Sequence, residues 1–261
     1  MFNDIWAGGV VFADDGTGDP DQVGYVEGGW NVPTVEPPDG ALHGITISAS
    51  SWIGLDGLPI VPTDILQAGV DADVTLEANG VTFELFKPWF EWFPPRSHFI
   101  IDKNNPDRVL ALPGDTFFCT IYYPPHFKVR IIQNIGAWIF ISNLDQGWAG
   151  HFVVDLTTVR RRIRPFFNCA DWIVERLAIT NPNFPELARF DDVTFRACNA
   201  LTSKGATLTA GRADKINHGR QREGHCISRA TGCPRKHGPG GIWREVRVGD
   251  VAGHDARLAH A

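Results

Sequence analysis

The sequence predicts an all-β protein, an antiparallel sandwich or barrel, and three observations carry that reading. Twenty-seven glycines and 18 prolines spread through 261 residues supply many turns without the period of collagen. Nine tryptophans and 17 phenylalanines favour strands over a helical bundle. Most of residues 5 to 200 read as short apolar runs, with no sustained helical periodicity and no internal repeat.

Period-two alternation is clearest after the turn Pro113-Gly114-Asp115, where Phe117, Cys119 and Ile121 alternate with Phe118, Thr120 and Tyr122. Phe127 to Ile132, Ala137 to Ser142 and His151 to Leu156 are similar runs, separated by Asn134, Gly136, Asn143 to Gly147 and Gly150. Trp172 to Leu177 and Val193 to Cys198 follow. Strands this short and this closely spaced suit a sandwich or barrel. Within Asp171 to Glu175, residues Asp171, Ile173 and Glu175 share one face, while Trp172 and Val174 take the other. Taken alone, Glu91 and Glu175 read as charges on solvent-facing strand positions; the other reading is that an acid sharing a face with Ile173 is partly desolvated, which would raise its pKa and suit it to proton transfer.

Charge divides the chain. Residues 211–261 carry 10 Lys and Arg against 5 Asp and Glu, and hold five of the nine histidines. This segment is therefore +5 and the rest −11, within a total of −6. The shift places a boundary near Ser203 to Gly211, with a globular domain at 1–205 and a basic, low-order tail at 206–261. A total of −6 gives no general reason to expect nucleic acid as a partner. No apolar run reaches the ~18 residues of a membrane span. Nothing at Met1 resembles a signal peptide, and the localisation stays open.

Several motifs read more simply as structure. Gly28-Gly29 and Gly238-Pro239-Gly240-Gly241 lack the lysine and helix of a P-loop, and no Gly-x-Ser-x-Gly elbow is present. Cys226 and Cys233 stand too far apart for the usual zinc spacing, so they and His218, His225 and His237 belong to a basic tail. Arg160, Arg161, Arg162 and Arg164 read as a solvated strand end or loop. Cys119, Cys169 and Cys198 are expected to be small buried side chains.

Three stretches say more. They are Ser51-Trp52-Ile53-Gly54-Leu55-Asp56-Gly57 with Ile65-Leu66-Gln67-Ala68-Gly69-Val70-Asp71, then Trp89-Phe90-Glu91-Trp92-Phe93-Pro94, then Ala170-Asp171-Trp172-Ile173-Val174-Glu175. With Trp6-Ala7-Gly8-Gly9-Val10 and Gly29-Trp30-Asn31-Val32-Pro33 before them, this combination and order resembles the glutamic peptidases, or eqolisins (family G1). Gly114-Asp115 and Ile141-Ser142-Asn143 fall in register between the second and third stretches. The resemblance extends to about Phe195, roughly three quarters of the chain.

The resemblance implies a concanavalin-like jelly roll, a sandwich of two curved antiparallel sheets with a substrate cleft. It implies an acid-acting endopeptidase with a Gln67/Glu175 dyad. Trp52, Asp56, Trp89 and Glu91 are expected to line the cleft. Glu175 would take a proton from the attacking water and return it to the leaving amine. Gln67 would hold that water and donate to the oxyanion. Neither a metal nor an organic cofactor is implied, and a polypeptide substrate acted on by a monomer is expected. Lys87, where the family has a small or acidic residue, is expected to bring a positive charge towards the cleft. Two alternatives stand beside the peptidase: an incomplete pseudo-peptidase, and a carbohydrate-binding sandwich with Trp52, Trp89 and Trp92 as a stacking platform.

Overall fold

The computed structural model describes residues 2–3, 6–13, 21–57, 64–93, 97–123, 136–154, 168–176, 187–210, 214–218 and 229–230. Their strands are β1 (Phe2–Asn3), β2 (Trp6–Phe12), β3 (Val23–Asn31), β4 (Val35–Glu36), β5 (Thr46–Leu55), β6 (Ile65–Leu76), β7 (Thr82–Phe93), β8 (His98–Phe99) and β9 (Thr116–Tyr122). After them come β10 (Ala137–Asn143), β11 (Trp148–Val154), β12 (Cys169–Glu175), β13 (Arg189–Phe190), β14 (Thr194–Thr202), β15 (Thr207–Thr209), β16 (Asp214–His218) and β17 (Arg229–Ala230). The architecture is the expected all-β sandwich. An eight-stranded sheet runs β1-β16-β2-β12-β5-β6-β7-β8, and the second runs β11-β10-β9-β3-β14-β15, with β17 beside β14. Pairing is antiparallel except at β1–β16 and β14–β17.

Alternation decides what lies between the sheets. Phe117, Cys119 and Ile121 of β9 point inward, opposite Trp30, Gly28 and Val26 of β3 and, for Cys119 and Ile121, Ile141 and Ile139 of β10. The facing sheet contributes Ile53, Leu55, Leu66, Ala68, Val70, Phe90, Trp92, Trp172 and Val174 to the same core. Gly28 makes room for the facing sheet. A Cβ there would lie 2.8 Å from Trp172 Nε1, and that N–H donates to Glu27 O at 2.9 Å. Cys119, Cys169 and Cys198 are buried thiols. Fully burying side chains of this size contributes about 1.5–3 kcal/mol each, which is why the alternation is enforced.

The other face of the eight-stranded sheet carries a smaller cluster: Trp6, Val10, Trp52, Trp89, Cys169 and Ile173. Asp171, Ile173 and Glu175 therefore do share a face away from Trp172 and Val174, as the alternation of β12 requires.

The run Phe127 to Ile132, the arginines at 160–164, Leu177 and most of 206–261, with the cysteines and histidines beyond 218, lie outside the described residues. Of that last segment, β15 pairs with β14, and β16 pairs with β2 and β1.

Candidate active site

The floor of the site is a set of side-chain rows across the eight-stranded sheet. One row holds Asp171, Gly54, Gln67 and Glu91 on β12, β5, β6 and β7. The next holds Ile173, Trp52, Gly69 and Trp89, continued by Phe99 of β8. The third holds Glu175, Ser50, Asp71 and Lys87, and the fourth Ser48, Asp73 and Leu85. Residues directly opposite on paired strands, and those two apart on one strand, share a face, so all these side chains stand on one surface.

The Leu66-Gln67-Ala68-Gly69 motif has a physical reading here. Leu66 and Ala68 face the core, Gln67 and Gly69 the floor. A Cβ on Gly69 would meet Trp52 Cβ at 2.5 Å, and one on Gly54 would meet the Trp52 ring at 2.9 Å. Two glycines thus make space for a tryptophan that itself packs edge-on against Trp6, with ring centroids 5.1 Å apart.

Trp52 Nε1 donates to Glu175 Oε2 at 2.9 Å, and Gln67 Nε2 donates to Glu91 Oε2 at 2.8 Å. Gln67 is buried, and its Oε1 has no hydrogen-bond partner among the described residues. Glu91 and Glu175 keep partial exposure. Burial pushes Glu175 up to about 7 against the pull of its tryptophan donors, and the charges of Asp71 and Glu91 push the same way. Burial likewise raises Glu91 and takes Asp71 to about 7. Glu175 and Glu91 are thus electrostatically linked, and Glu91 is the group that Gln67 binds.

Trp52 and Trp89 are buried in the floor. Asp56, at φ 74, is fully buried beside Asp171, and that pairing, after burial itself, drives Asp171 well above the usual carboxylate range. Trp92 turns to the opposite face and packs edge-on against Tyr123 in the main core, 6.1 Å between centroids. The three tryptophans of the carbohydrate alternative therefore form no common platform. Lys87 bridges to Asp73 at 2.5 Å and also draws Asp71 downward, though burial outweighs it. Ser50 and Ser48 donate to Asp71 and Asp73 at 2.7 and 2.6 Å.

Sequence reasoning did not single out Ser48, Ser50, Asp71 and Asp73 as site residues. The signal was available: Gln67, Gly69, Asp71 and Asp73 alternate at period two along β6, so once Gln67 faces the floor the others follow.

The sequence profile of the Peptidase A4 family matches residues 4–232. The chain belongs to this family, the eqolisins. It is a glutamic-type endopeptidase, and its substrates are polypeptides. The crystal structure of scytalido-glutamic peptidase with a transition state analog inhibitor shares the fold, with a TM-score of 0.56 and 20% identity over 82% of this chain and 87% of that one. Aspergilloglutamic peptidase from Aspergillus niger is 23% identical over 54% of this chain and 68% of that one, with a TM-score of 0.34. No curated protein sequence matches. The family match of this eqolisin runs past the expected boundary at Ser203 to Gly211 and takes in β15, β16 and β17.

Proposed function

We propose that this eqolisin hydrolyses internal peptide bonds by direct attack of water, with Gln67 and Glu175 as the dyad, in mildly acid solution. The observation that carries the reading is the pairing of two hydrogen bonds on one sheet face. Trp52 fixes the Glu175 carboxylate, and Glu91 fixes the amide of Gln67.

Glu175, as carboxylate, takes a proton from water while the water oxygen bonds to the scissile carbonyl carbon. Gln67 does not titrate. Its Oε1 accepts from the water, and the second Nε2 hydrogen, the one not given to Glu91, donates to the oxyanion. The proton on Glu175 then passes to the leaving nitrogen as the C–N bond breaks. Gln67, being neutral, adds nothing to the repulsion that Asp71 and Glu91 already exert on Glu175.

The working range follows from the carboxylate environment. A base tuned towards 7 gives up and recovers its proton with little driving force in either direction in mild acid. Above neutrality Glu175 and Asp71 become charged together on one partly desolvated surface, which opposes both turnover and folding. The test is hydrolysis of an unfolded protein by the full chain across pH 2 to 8, beside Glu175→Gln. A mildly acid maximum that disappears in the variant supports the reading. Equal activity in both, or a maximum abolished by chelators, overturns it.

A further inference from the structure

Beyond Lys87 and Asp73 the floor changes character. Leu85 lies opposite Asp73, and Phe83 opposite Thr75, so both stand on the Gln67 face of the sheet. They are 43% and 57% exposed. Phe99 lies opposite Trp89 on the same face at 48% exposure. Lys87 reaches over this group, its Nζ 4.8 Å from the Phe99 ring centroid. Side chains of this size on paired strands ordinarily bury themselves, and an exposed apolar group of this kind marks a binding surface.

We propose that Phe83, Leu85 and Phe99 form an accessory shelf that binds apolar side chains of the polypeptide substrate, well away from the bond being cut. The proposal rests on the Gln67/Glu175 reading for the position of that bond. Continuity selects the occupant. Phe83, Leu85 and Glu91 stand on the same face of one strand, β7, so a chain lying on the shelf is led along that strand towards the Glu91–Gln67 pair. Leu85 and Glu91 are six residues apart on β7, roughly 20 Å at strand rise. An extended substrate spans about the same distance in six residues. The enzyme therefore favours chains with apolar residues five or six positions from the scissile bond. Unfolded proteins expose such residues, and folded ones bury them.

The test uses three 14-residue peptides that are identical around the scissile bond. One carries Leu and Phe five and six residues to its N-terminal side, one carries them at the same distance on the C-terminal side, and one carries Ser at all four places. The readout is the ratio of kcat/KM for each apolar peptide to the serine peptide, in the full wild-type chain and in Phe83→Ser/Leu85→Ser. Wild type should prefer one apolar peptide by about tenfold, mainly through KM, and the double variant should bring that ratio near 1. Phe99→Ser, on the neighbouring strand, should lower it as well. No preference for either peptide in wild type, or a preference that survives in the variants, overturns the proposal. So does a dimer that dissociates in the double variant, because the shelf would then be a contact between copies. The dyad is read separately: a Glu175→Gln chain that still cleaves a six-residue peptide would overturn the dyad, while the long-peptide ratios would still report on the shelf.

Discussion

Asp115, in the turn before β9, accepts hydrogen bonds from Leu112 N at 2.8 Å, Asn143 Nδ2 at 2.6 Å and Gln146 Nε2 at 2.7 Å. Glu175, on the floor of the eight-stranded sheet, accepts from Trp52 Nε1 at 2.9 Å and feels the charges of Asp71 and Glu91. Both are carboxylates largely withdrawn from water in one sandwich. Asp115 is given its donors by the turn that it organises, since the same Asn143 also holds Leu110 O at 3.1 Å and receives the N–H groups of Asp145 and Gln146. Glu175 is given few donors and like charges instead. A carboxylate with a full set of donors is part of the scaffold. One with too few, beside other acids, holds its proton more tightly than usual, which brings its titration up to where it can both take and return a proton.

Exchanging the roles should fail in opposite ways. Glu175→Gln should lose about 10²–10⁴ of turnover while thermal unfolding stays near that of wild type. A variant that unfolds instead would make Glu175 a structural acid like Asp115. Gln67→Ala should follow closely, losing about 2.7–4 kcal/mol of transition-state stabilisation in kcat, with circular dichroism unchanged. Wild-type kinetics there would remove the amide from the mechanism.

Asp115→Leu should do the reverse. It leaves the Leu112 N–H and one of the two hydrogens of the buried Asn143 amide without an acceptor, for a loss of about 1–3 kcal/mol per orphaned donor in denaturant melts. Turnover per folded molecule should hold. A selective loss of kcat would tie the turn to the chemistry and erase the contrast.

The pH dependence of stability sharpens the same comparison. Glu175 moves from 4.5 to about 7 on folding, so between those values the folded state binds more protons than the unfolded one. Its contribution is present below about 4.5 and is lost as pH rises towards 7. With Asp71 and Glu91 shifted in the same direction, the melting temperature should fall across that window, by an amount corresponding to about 3 kcal/mol or more. Asp71→Asn should flatten the trend. A melting temperature that rises across the window would contradict the burial of these acids. The smallest effect is expected at Trp52→Phe. Losing the N–H that favours the charged carboxylate should move the acid limb of kcat/KM to higher pH with a modest change in its maximum. An unmoved limb would mean that Trp52 only packs.

Much of this was legible locally. The inward set Phe117, Cys119 and Ile121 follows from period two alone, and so does the split of Asp171, Ile173 and Glu175 from Trp172 and Val174. β16 was not legible. Asp214-Lys215-Ile216-Asn217-His218 shows no apolar alternation, yet it pairs with β2 through the backbone ladder, which side-chain composition does not display. The separation of Trp92 from Trp52 and Trp89 was legible in principle, since positions 89 and 92 have opposite parity on β7.

By itself, then, the order of residues determined which side chains share a face of each strand, because alternation is a property of the local backbone. The register between strands was decided only by the tertiary structure. Trp52 and Glu175 are 123 residues apart, and nothing local sets their 2.9 Å hydrogen bond. The acidity of the floor was decided there too. Leu66-Gln67 and Val174-Glu175 look like ordinary strand sequence, and the rise of Glu175 towards 7 exists only once folding withdraws it from water and brings Asp71 and Glu91 alongside.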